Sequence, residues 1–163
     1  MIIPKYLPKI NTKRLLLTPL QIKHLKYTTK WRGDSRIISS SKDNTEFSYK
    51  IKDQITWFKD TRKKIIDYMI YYKLNMEPVG VWSLKKIKNR INYYKIMEQG
   101  RYIGNTNYLR KGIAKEVALE WLKFGFKYLS LDKIVSYHKK NNIVPQMINL
   151  KMGFEYNQNY NNR

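Results

Sequence analysis

Hydrophobic residues recur with two different periods along this chain. An alternation of apolar and polar residues, or a short apolar run, is typical of a strand and predicts strands at 13–18, 67–74, 79–84, 91–103 and 133–138. A spacing of three to four residues is typical of a helix and predicts helices at 20–31, 50–64, from 112 onwards and at 145–152. The polar segment 33–47 predicts a loop. Together these elements predict an α+β fold, with one mixed sheet and helices packed on it.

The helix that begins at Gly112 has the most regular pattern. Two adjacent apolar stripes run along it, one formed by Ile113, Val117, Trp121, Phe124 and Tyr128 and the other by Ala114, Ala118, Leu122 and Leu129. An apolar arc of this width is too broad for a surface helix. We therefore expect this helix to pack against the sheet over most of its length.

The start of the same helix has the features of an anion-binding site. Gly112 follows the strand-like segment that ends at Gly104, and a glycine at such a turn lets the backbone approach a ligand closely. The first amides of a helix lack intrahelical acceptors, and the helix dipole adds partial positive charge there. The glycine spacing fits neither the dinucleotide fingerprint nor the P-loop. The run 108–116 therefore predicts a phosphate-bearing cofactor that is held by backbone amides.

The composition is that of a folded protein. A chain of 163 residues, with 42% hydrophobic and 14% aromatic residues, is expected to form a single domain, 1–163, with its own core. No apolar run approaches the roughly 20 residues of a membrane span, and no secretory signal is visible, so we expect a cytoplasmic protein. The absence of cysteine excludes disulfides and thiolate nucleophiles. Two histidines far apart in sequence predict no metal site.

The net charge of +21 has two interpretations. A strongly positive field attracts anions such as nucleic acid, acidic membranes or phosphorylated metabolites. Alternatively, the charge reflects a biased composition, because lysine is spread along nearly every segment and no arginine-rich arm or zinc finger accompanies it. The charge is consistent with an anionic ligand but does not identify one.

An ordered set of motifs resembles the GCN5-related N-acetyltransferases, the GNAT superfamily. The motifs are Leu109–Ala114 on the cofactor loop of that family, Asn142 with Gly153-Phe154 on its Asn…Gly-Phe signature, and 12–17 with 31–34 at the start of its RimJ/RimL-like branch. The resemblance covers about residues 12–155. It implies a central, mostly antiparallel mixed sheet flanked by helices, with acetyl-CoA bound where two adjacent strands splay apart. It also implies transfer of acetyl to a primary amine. The absence of cysteine and of a Gly-x-Ser-x-Gly motif argues against a covalent acyl-enzyme and favours direct transfer in a ternary complex.

Three segments are most similar to enzymes that acetylate amino sugars on nucleotide carriers: 55–58, 78–80 and 98–103. The resemblance implies that the acceptor is a nucleotide-linked 4-amino-4,6-dideoxy sugar, an anionic small molecule whose diphosphate suits the positive charge. One alternative is a RimJ/RimL-like acetyltransferase of protein N-termini, such as ribosomal ones. An alternative of another class is a catalytically degenerate, basic nucleic-acid-binding module. The oligomeric state is left open between a monomer and a homodimer.

The chain departs from the family pattern in three places. Leu109 replaces the usual Gln or Arg, which we expect to be tolerated because the cofactor loop binds through amides. Asn149 stands where many relatives have a tyrosine that protonates the departing CoA thiolate. The chain stops nine residues beyond Phe154, where relatives usually continue through a last strand. We expect either a final strand that is short or absent, or a domain cut from a longer polypeptide.

The expected reaction needs a base, because an amine attacks a thioester only when it is neutral. Glu98 is the first candidate, since the resemblance places its strand beside the acetyl group; the alternative is a carboxylate paired with one of many lysines. His138, at the end of the next strand, is the second candidate. Tyr102, with Tyr137 and Tyr156 as alternatives, is a candidate proton donor to the thiolate.

The resemblance also implies the binding residues. The cofactor is expected to contact Ile103, Leu109, Arg110, Lys111, Gly112, Ile113, Ala114 and Asn142. The candidates for the acceptor pocket are Trp31, Arg32, Trp57 and Trp82, with core packing as the alternative for the tryptophans. His24 is expected at the surface.

Overall fold

The computed structural model describes residues 3–40, 50–87 and 95–156. Within these ranges six strands form one sheet, in the same order as along the chain. They are β1 (Ile10–Asn11), β2 (Leu15–Pro19), β3 (Ile65–Tyr72), β4 (Glu77–Lys86), β5 (Ile96–Ile103) and β6 (Lys133–Val135). Neighbouring strands are antiparallel, except that β5 and β6 are parallel. The predicted mostly antiparallel mixed sheet is confirmed.

Helices pack on both faces of this sheet. Those of the described ranges are α1 (Leu25–Arg32), α2 (Ser35–Ser40), α3 (Ile51–Thr61), α4 (Ile113–Lys123) and α5 (Ile143–Lys151). A π-helical turn at Phe124–Tyr128 extends α4, and a 3-10 turn at Thr106–Tyr108 precedes it. In the described part of the chain, no helix is both long enough and apolar enough to cross a membrane.

The predicted loop at 33–47 is wrong in its first part, because Ser35–Ser40 forms α2. Asp34 starts this helix: its carboxylate accepts a hydrogen bond from the amide of Arg36 at 3.0 Å, and its carbonyl accepts one from the amide of Ile37 at 2.9 Å. A polar run with Asp and Ser therefore served as a helix start, which such residues also favour. The remainder of that loop, 41–47, and the first residues of the predicted strand 91–103, 91–94, lie outside the described residues.

Two hydrophobic cores lie on opposite faces of the sheet. On the face covered by α4, called the α4 face, Trp121 is fully buried and meets the ring of Tyr68 edge-on at 5.3 Å between centroids. On the face covered by α1 and α3, called the α1 face, Trp31 and Phe58 pack with Met69. Burying one large aromatic side chain removes roughly 200 Å² from water and stabilises the fold by about 5 kcal/mol. The apolar stripe predicted on α4 accounts for the first of these cores.

The strands β5 and β6 diverge soon after they meet. They pair only over 96–98 and 133–135, and beyond Glu98 the strand β5 continues to Ile103 without a partner on that side among the described residues. The predicted strand to His138 is wrong, since β6 ends at Val135. Beyond Val135 the side chains of Ser136 and His138 bond to each other, and His138 also bonds to Asn149 of α5. We call the region between the unpaired edge of β5 and α5, which is filled by side chains of both elements, the gap.

Gly104→Ala is expected to lower the free energy of unfolding by about 1–3 kcal/mol. A methyl group there would overlap the buried indole of Trp31, whose nearest atoms lie 2.0–2.3 Å from the position of a Cβ. Urea unfolding measures the loss. Gly100→Ala is the matched control, because its Cβ would meet only the Ser83 hydroxyl oxygen at 2.7 Å, which can rotate away. Equal losses in the two variants would contradict this packing argument.

Candidate active site

The segment between β5 and α4 is held against the sheet at both ends. Val79 forms a bulge in β4, with no opposite residue in β3. Its carbonyl accepts hydrogen bonds from the amides of Gly104 at 2.9 Å and Asn105 at 3.0 Å. The hydroxyl of Tyr108 donates to Glu77 Oε2 at 2.8 Å. These contacts fix the point from which the chain enters α4.

The predicted cofactor loop lies at the N-terminus of α4 with its amides free. Arg110 and Gly112 both have left-handed backbone conformations, with φ values of 60° and 74°. The amides of 110–114 have no acceptor among the described residues. Ile113 is buried and anchors the helix, whereas Leu109 is exposed. Free amides in the positive field of a helix N-terminus suit a diphosphate.

Glu116, in the first turn of α4, ties the helix to the start of β2. Its Oε1 accepts from the Thr12 hydroxyl at 2.5 Å and from the Arg14 amide at 2.7 Å, and its Oε2 accepts from Arg14 Nε at 2.6 Å. Burial raises the pKa of Glu116, but these hydrogen bonds outweigh it and the pKa is lowered. Arg14 Nη2 donates to the Lys111 carbonyl at 3.1 Å and lies 3.6 Å from where a Cβ on Gly112 would be. Sequence reasoning missed Arg14, because its contact with the loop spans 97 residues.

A chain of polar side chains crosses the gap between β5 and α5. The amide oxygen of Asn149 accepts from Arg101 Nη2 at 2.6 Å and from Gln99 Nε2 at 3.3 Å, and these two donors fix the orientation of the amide. Asn149 Nδ2 therefore donates to His138 Nε2 at 2.9 Å. The Gln99 amide oxygen accepts from Trp82 Nε1 at 3.3 Å. The position that differs from the family pattern, Asn149, is thus the centre of a network.

His138 belongs to this network and is poorly suited to be a base. Burial, with a smaller contribution from the charge of Arg101, lowers the pKa of His138 to about 4. The imidazole is therefore neutral at pH 7, and its Nε2 lone pair already accepts a hydrogen bond from Asn149. A general base of this kind needs a free lone pair and a pKa closer to the working pH. His138 is therefore the weaker of the two candidate bases, and Glu98 stays a prediction.

Glu98 and Tyr102 project from β5 towards the α1 face. Glu98 is half-buried and lies at the last β5–β6 pair, beside the opening of the gap. The Tyr102 hydroxyl is buried and makes no hydrogen bond of ordinary geometry with a described residue, although the guanidinium of Arg32 lies 5.9 Å from its ring centre. Burial raises the pKa of Tyr102. Both residues keep their candidate roles as predictions.

Arg32, on α1, lies against two aromatic rings on the α1 face. Its guanidinium carbon is 5.2 Å from the ring centre of Trp57 and 5.9 Å from that of Tyr102. The same face contains Asp67, which is only 6% exposed. Burial raises the pKa of Asp67 to about 6, against the opposing effects of Arg32 and Arg62. Sequence reasoning counted Asp67 only as the start of a strand.

The remaining tryptophan candidates are core residues. Trp31 is 8% exposed and packs on Gly104 and, edge-on, on Tyr102 at 6.3 Å. Trp82 is fully buried on the α4 face, so the sheet separates it from Trp31 and Arg32. Of the predicted acceptor residues, the structure brings Arg32 and Trp57 together on the α1 face and places Trp82 on the opposite face.

The other predicted residues lie around the site or away from it. Ile103 ends β5 and is half-buried, and Asn142 precedes α5, its amide donating to the Lys139 carbonyl at 2.9 Å. Tyr156 is exposed. The prediction of a surface position for His24 is wrong, since it is 3% exposed and its ring nitrogens are bonded to the Gln21 amide and the Tyr71 hydroxyl. No three His, Cys, Asp or Glu residues in the described ranges form a metal-binding group.

The sequence matches the family model described as "Acetyltransferase (GNAT) domain" over residues 14–155. The chain belongs to the GNAT acetyltransferase family. It is therefore an acyltransferase that acetylates amines, and acetyl-CoA is the donor that this family uses. The match confirms the resemblance to the superfamily. No curated protein sequence matches the chain significantly.

Solved structures of other GNAT proteins share the fold. A GNAT-family acetyltransferase from Bacillus anthracis is 21% identical, with a TM-score of 0.73 over 91% of this chain and 84% of its own. RimJ from Mycobacterium smegmatis in complex with CoA-disulfide is 14% identical, with a TM-score of 0.78 over 92% and 77%. Spermidine N-acetyltransferase from Vibrio cholerae with CoA and spermine is 17% identical, with a TM-score of 0.76 over 88% and 82%. At these identities the fold is shared, and the acceptor does not follow from it.

Gly112→Ala is expected to weaken CoA binding about 10-fold, because a left-handed residue with a Cβ strains the loop and misdirects its amides. Isothermal calorimetry with CoA measures the change. Gly153→Ala is the matched control, since Gly153 has a similar φ of 85° but no atom within 4 Å of a Cβ and lies outside the loop. Both variants should lose similar stability. An equal loss of CoA affinity in both would contradict the role of the loop.

Proposed function

We propose that the protein transfers acetyl from acetyl-CoA directly to the primary amine of an anionic acceptor, preferably a nucleotide-linked 4-amino-4,6-dideoxy sugar. The observation that carries this proposal is the guanidinium of Arg32, which lies against the rings of Trp57 and Tyr102 on the α1 face. A planar guanidinium binds phosphate oxygens with two parallel hydrogen bonds, and stacking on aromatic rings orients it. Arg32 is therefore a suitable group for the diphosphate of such an acceptor.

The charge of the protein supports the same class of acceptor. The net charge of +21 attracts phosphorylated molecules and repels polycations such as polyamines. The fold shared with spermidine N-acetyltransferase does not outweigh this, because the two sequences are only 17% identical. An acceptor with a net negative charge, whose only cationic group is the reactive amine, is therefore the most favourable class for this positively charged protein.

The proposed chemistry starts with removal of a proton from the ammonium group. Glu98 is the proposed base, directly or through water, since its carboxylate lies at the last β5–β6 pair and on the same face of the sheet as Tyr102. The neutral amine then attacks the acetyl carbon and its nitrogen loses a second proton, to solvent, as the carbon–sulfur bond breaks. The electron pair of that bond stays on sulfur. The amides at 110–114 are proposed to hold the CoA diphosphate, with Asn142 contacting the CoA arm.

A protein N-terminus is the second candidate acceptor. The positive charge suits this acceptor as well, since a ribosomal protein is surrounded by anionic RNA. The fold is also shared with RimJ from Mycobacterium smegmatis. The α1 face would then bind a peptide backbone, which has no need of a stacked guanidinium.

Release of the CoA thiol, measured with a panel of acceptors, is expected to give the highest kcat/KM with a nucleotide-linked 4-amino-4,6-dideoxy sugar. Arg32→Gln is expected to raise KM for that sugar about 10-fold, with CoA affinity unchanged, because one phosphate contact is lost. Arg36→Gln is the control, since it removes an equal charge from an exposed residue that pairs with Asp34. Faster turnover with N-terminal peptides would select the second candidate. No turnover, with steeply salt-dependent RNA binding, would favour the nucleic-acid module.

Glu98→Gln is expected to lower kcat by about 10- to 1,000-fold, because an amide cannot accept the ammonium proton. Steady-state kinetics with the best acceptor of the panel measures it. Glu120→Gln is the control, as Glu120 lies on α4 and pairs with Lys123 at 2.6 Å. Wild-type kcat in Glu98→Gln would move the role of base to a water chain or to His138.

A further inference from the structure

Arg101 is a cation placed inside the gap between β5 and α5. It lies three residues beyond the last β5 residue that pairs with β6. Its guanidinium carbon is 4.9 Å from the ring centre of Trp82. Nη2 donates to Asn149 Oδ1 at 2.6 Å and to the Pro145 carbonyl at 2.9 Å. The guanidinium is therefore oriented by α5 and by one aromatic ring.

The other two nitrogens of this guanidinium are not satisfied. Nε and Nη1 are buried and have no hydrogen-bond partner among the described residues. No carboxylate of the described ranges forms a salt bridge with Arg101. Burial lowers the pKa of Arg101 to about 10, so the group remains a cation at neutral pH, while His138 beside it is neutral. A buried cation with unmade hydrogen bonds is unfavourable in the free protein and is explained by a ligand that carries negative charge.

We propose that Arg101 is a catalytic residue that stabilises the negative charge developing on the sulfur of CoA, and that Asn149 positions it. This inference rests on the proposed function, from which it takes the CoA arm lying in the gap. When the carbon–sulfur bond breaks, its electron pair goes to sulfur, and the guanidinium keeps its proton because its pKa lies above that of a thiol. The CoA leaves as a thiolate and is protonated later by solvent, in place of the protonation by Tyr102 that the sequence predicts.

The residues around Arg101 are not suited to stabilise or protonate the sulfur. Gln99 and Asn149 are amides, which are not acids, and His138 is a neutral imidazole whose Nε2 accepts a hydrogen bond from Asn149, so none of them is a suitable proton donor to the sulfur. An amide at position 149 cannot act as an acid, but its oxygen holds a guanidinium in place. A fixed positive charge in a site with little water stabilises a developing anion strongly. Electrostatic stabilisation thus replaces proton donation at this position.

The thiol of bound CoA is the probe, because the thiolate absorbs in the ultraviolet and the thiol does not. The CoA complex is titrated with base, with the complex of desulfo-CoA, which lacks the sulfur, as the blank. In the wild-type complex the thiol pKa should lie about one unit or more below that of free CoA titrated in the same buffer. Arg101→Gln should return it to that value. This readout needs no acceptor.

Three further variants make the test specific. Arg36→Gln removes the same charge from the surface and should keep the full shift. Asn149→Ala removes the acceptor of Arg101 Nη2, and Arg101→Lys keeps the positive charge but not the planar guanidinium. Each of these variants should keep only part of the shift in the thiol pKa. Should Arg101→Gln fail to fold, these two carry the test. CoA affinity and the unfolding temperature are measured for every variant.

The outcomes separate the two proposals. The role of Arg101 would be overturned if the thiol pKa of the wild-type complex were unshifted. It would also be overturned if Arg101→Gln, or both Asn149→Ala and Arg101→Lys, showed the same shift as the wild type. Neither result would contradict CoA binding. Failure of the wild-type protein to bind CoA at all would overturn the proposed function and this inference with it.

Discussion

The early divergence of β5 from β6 is the constraint on which the site depends. The two parallel strands pair only over 96–98 and 133–135, and from there to Ile103 the strand β5 pairs only with β4 among the described residues. Five further residues of strand extend over about 17 Å, an edge whose hydrogen-bonding groups a ligand can use. A hydrogen bond between His138, which follows β6, and Asn149 of α5 stabilises the divergence by holding the chain after β6 against α5. The unpaired edge leads directly to the loop that precedes α4.

Contacts between segments that are distant in sequence fix the position of the N-terminus of α4. The bulge at Val79 holds the chain as it leaves β5, and Glu116 fastens the first turn of the helix to Arg14 and Thr12. The Glu116 bonds are charge-assisted and only partly exposed, so they are stronger than a surface ion pair. A helix N-terminus binds an anion well only when its free amides point at the anion. The hydrogen bonds of Val79 and Glu116 set this orientation of α4.

The sequence predicted the parts of the molecule that local periodicity determines. The stripes on α4 and the glycine at its start were sufficient for the helix and its free amides, because both are set within a few residues. The network around Asn149 was not predictable in this way, since Arg101, His138 and Asn149 come from three elements that only the sheet brings together. Trp82 was assigned to the acceptor pocket because residue type does not reveal which face of a strand it occupies.

Alternation along β5 explains how one strand serves both reactants. Glu98 and Arg101 are three positions apart, an odd spacing, so they project to opposite faces of the sheet. The α1 face then has the proposed base and the stacked Arg32, and the α4 face has the proposed thiolate-stabilising cation. An acceptor that approaches over the α1 face and a thioester that lies in the gap would meet at the free edge of β5, just past Glu98. The sulfur, which takes the electron pair, then leaves the acetyl carbon on the side of Arg101, and the proton leaves the amine on the side of Glu98.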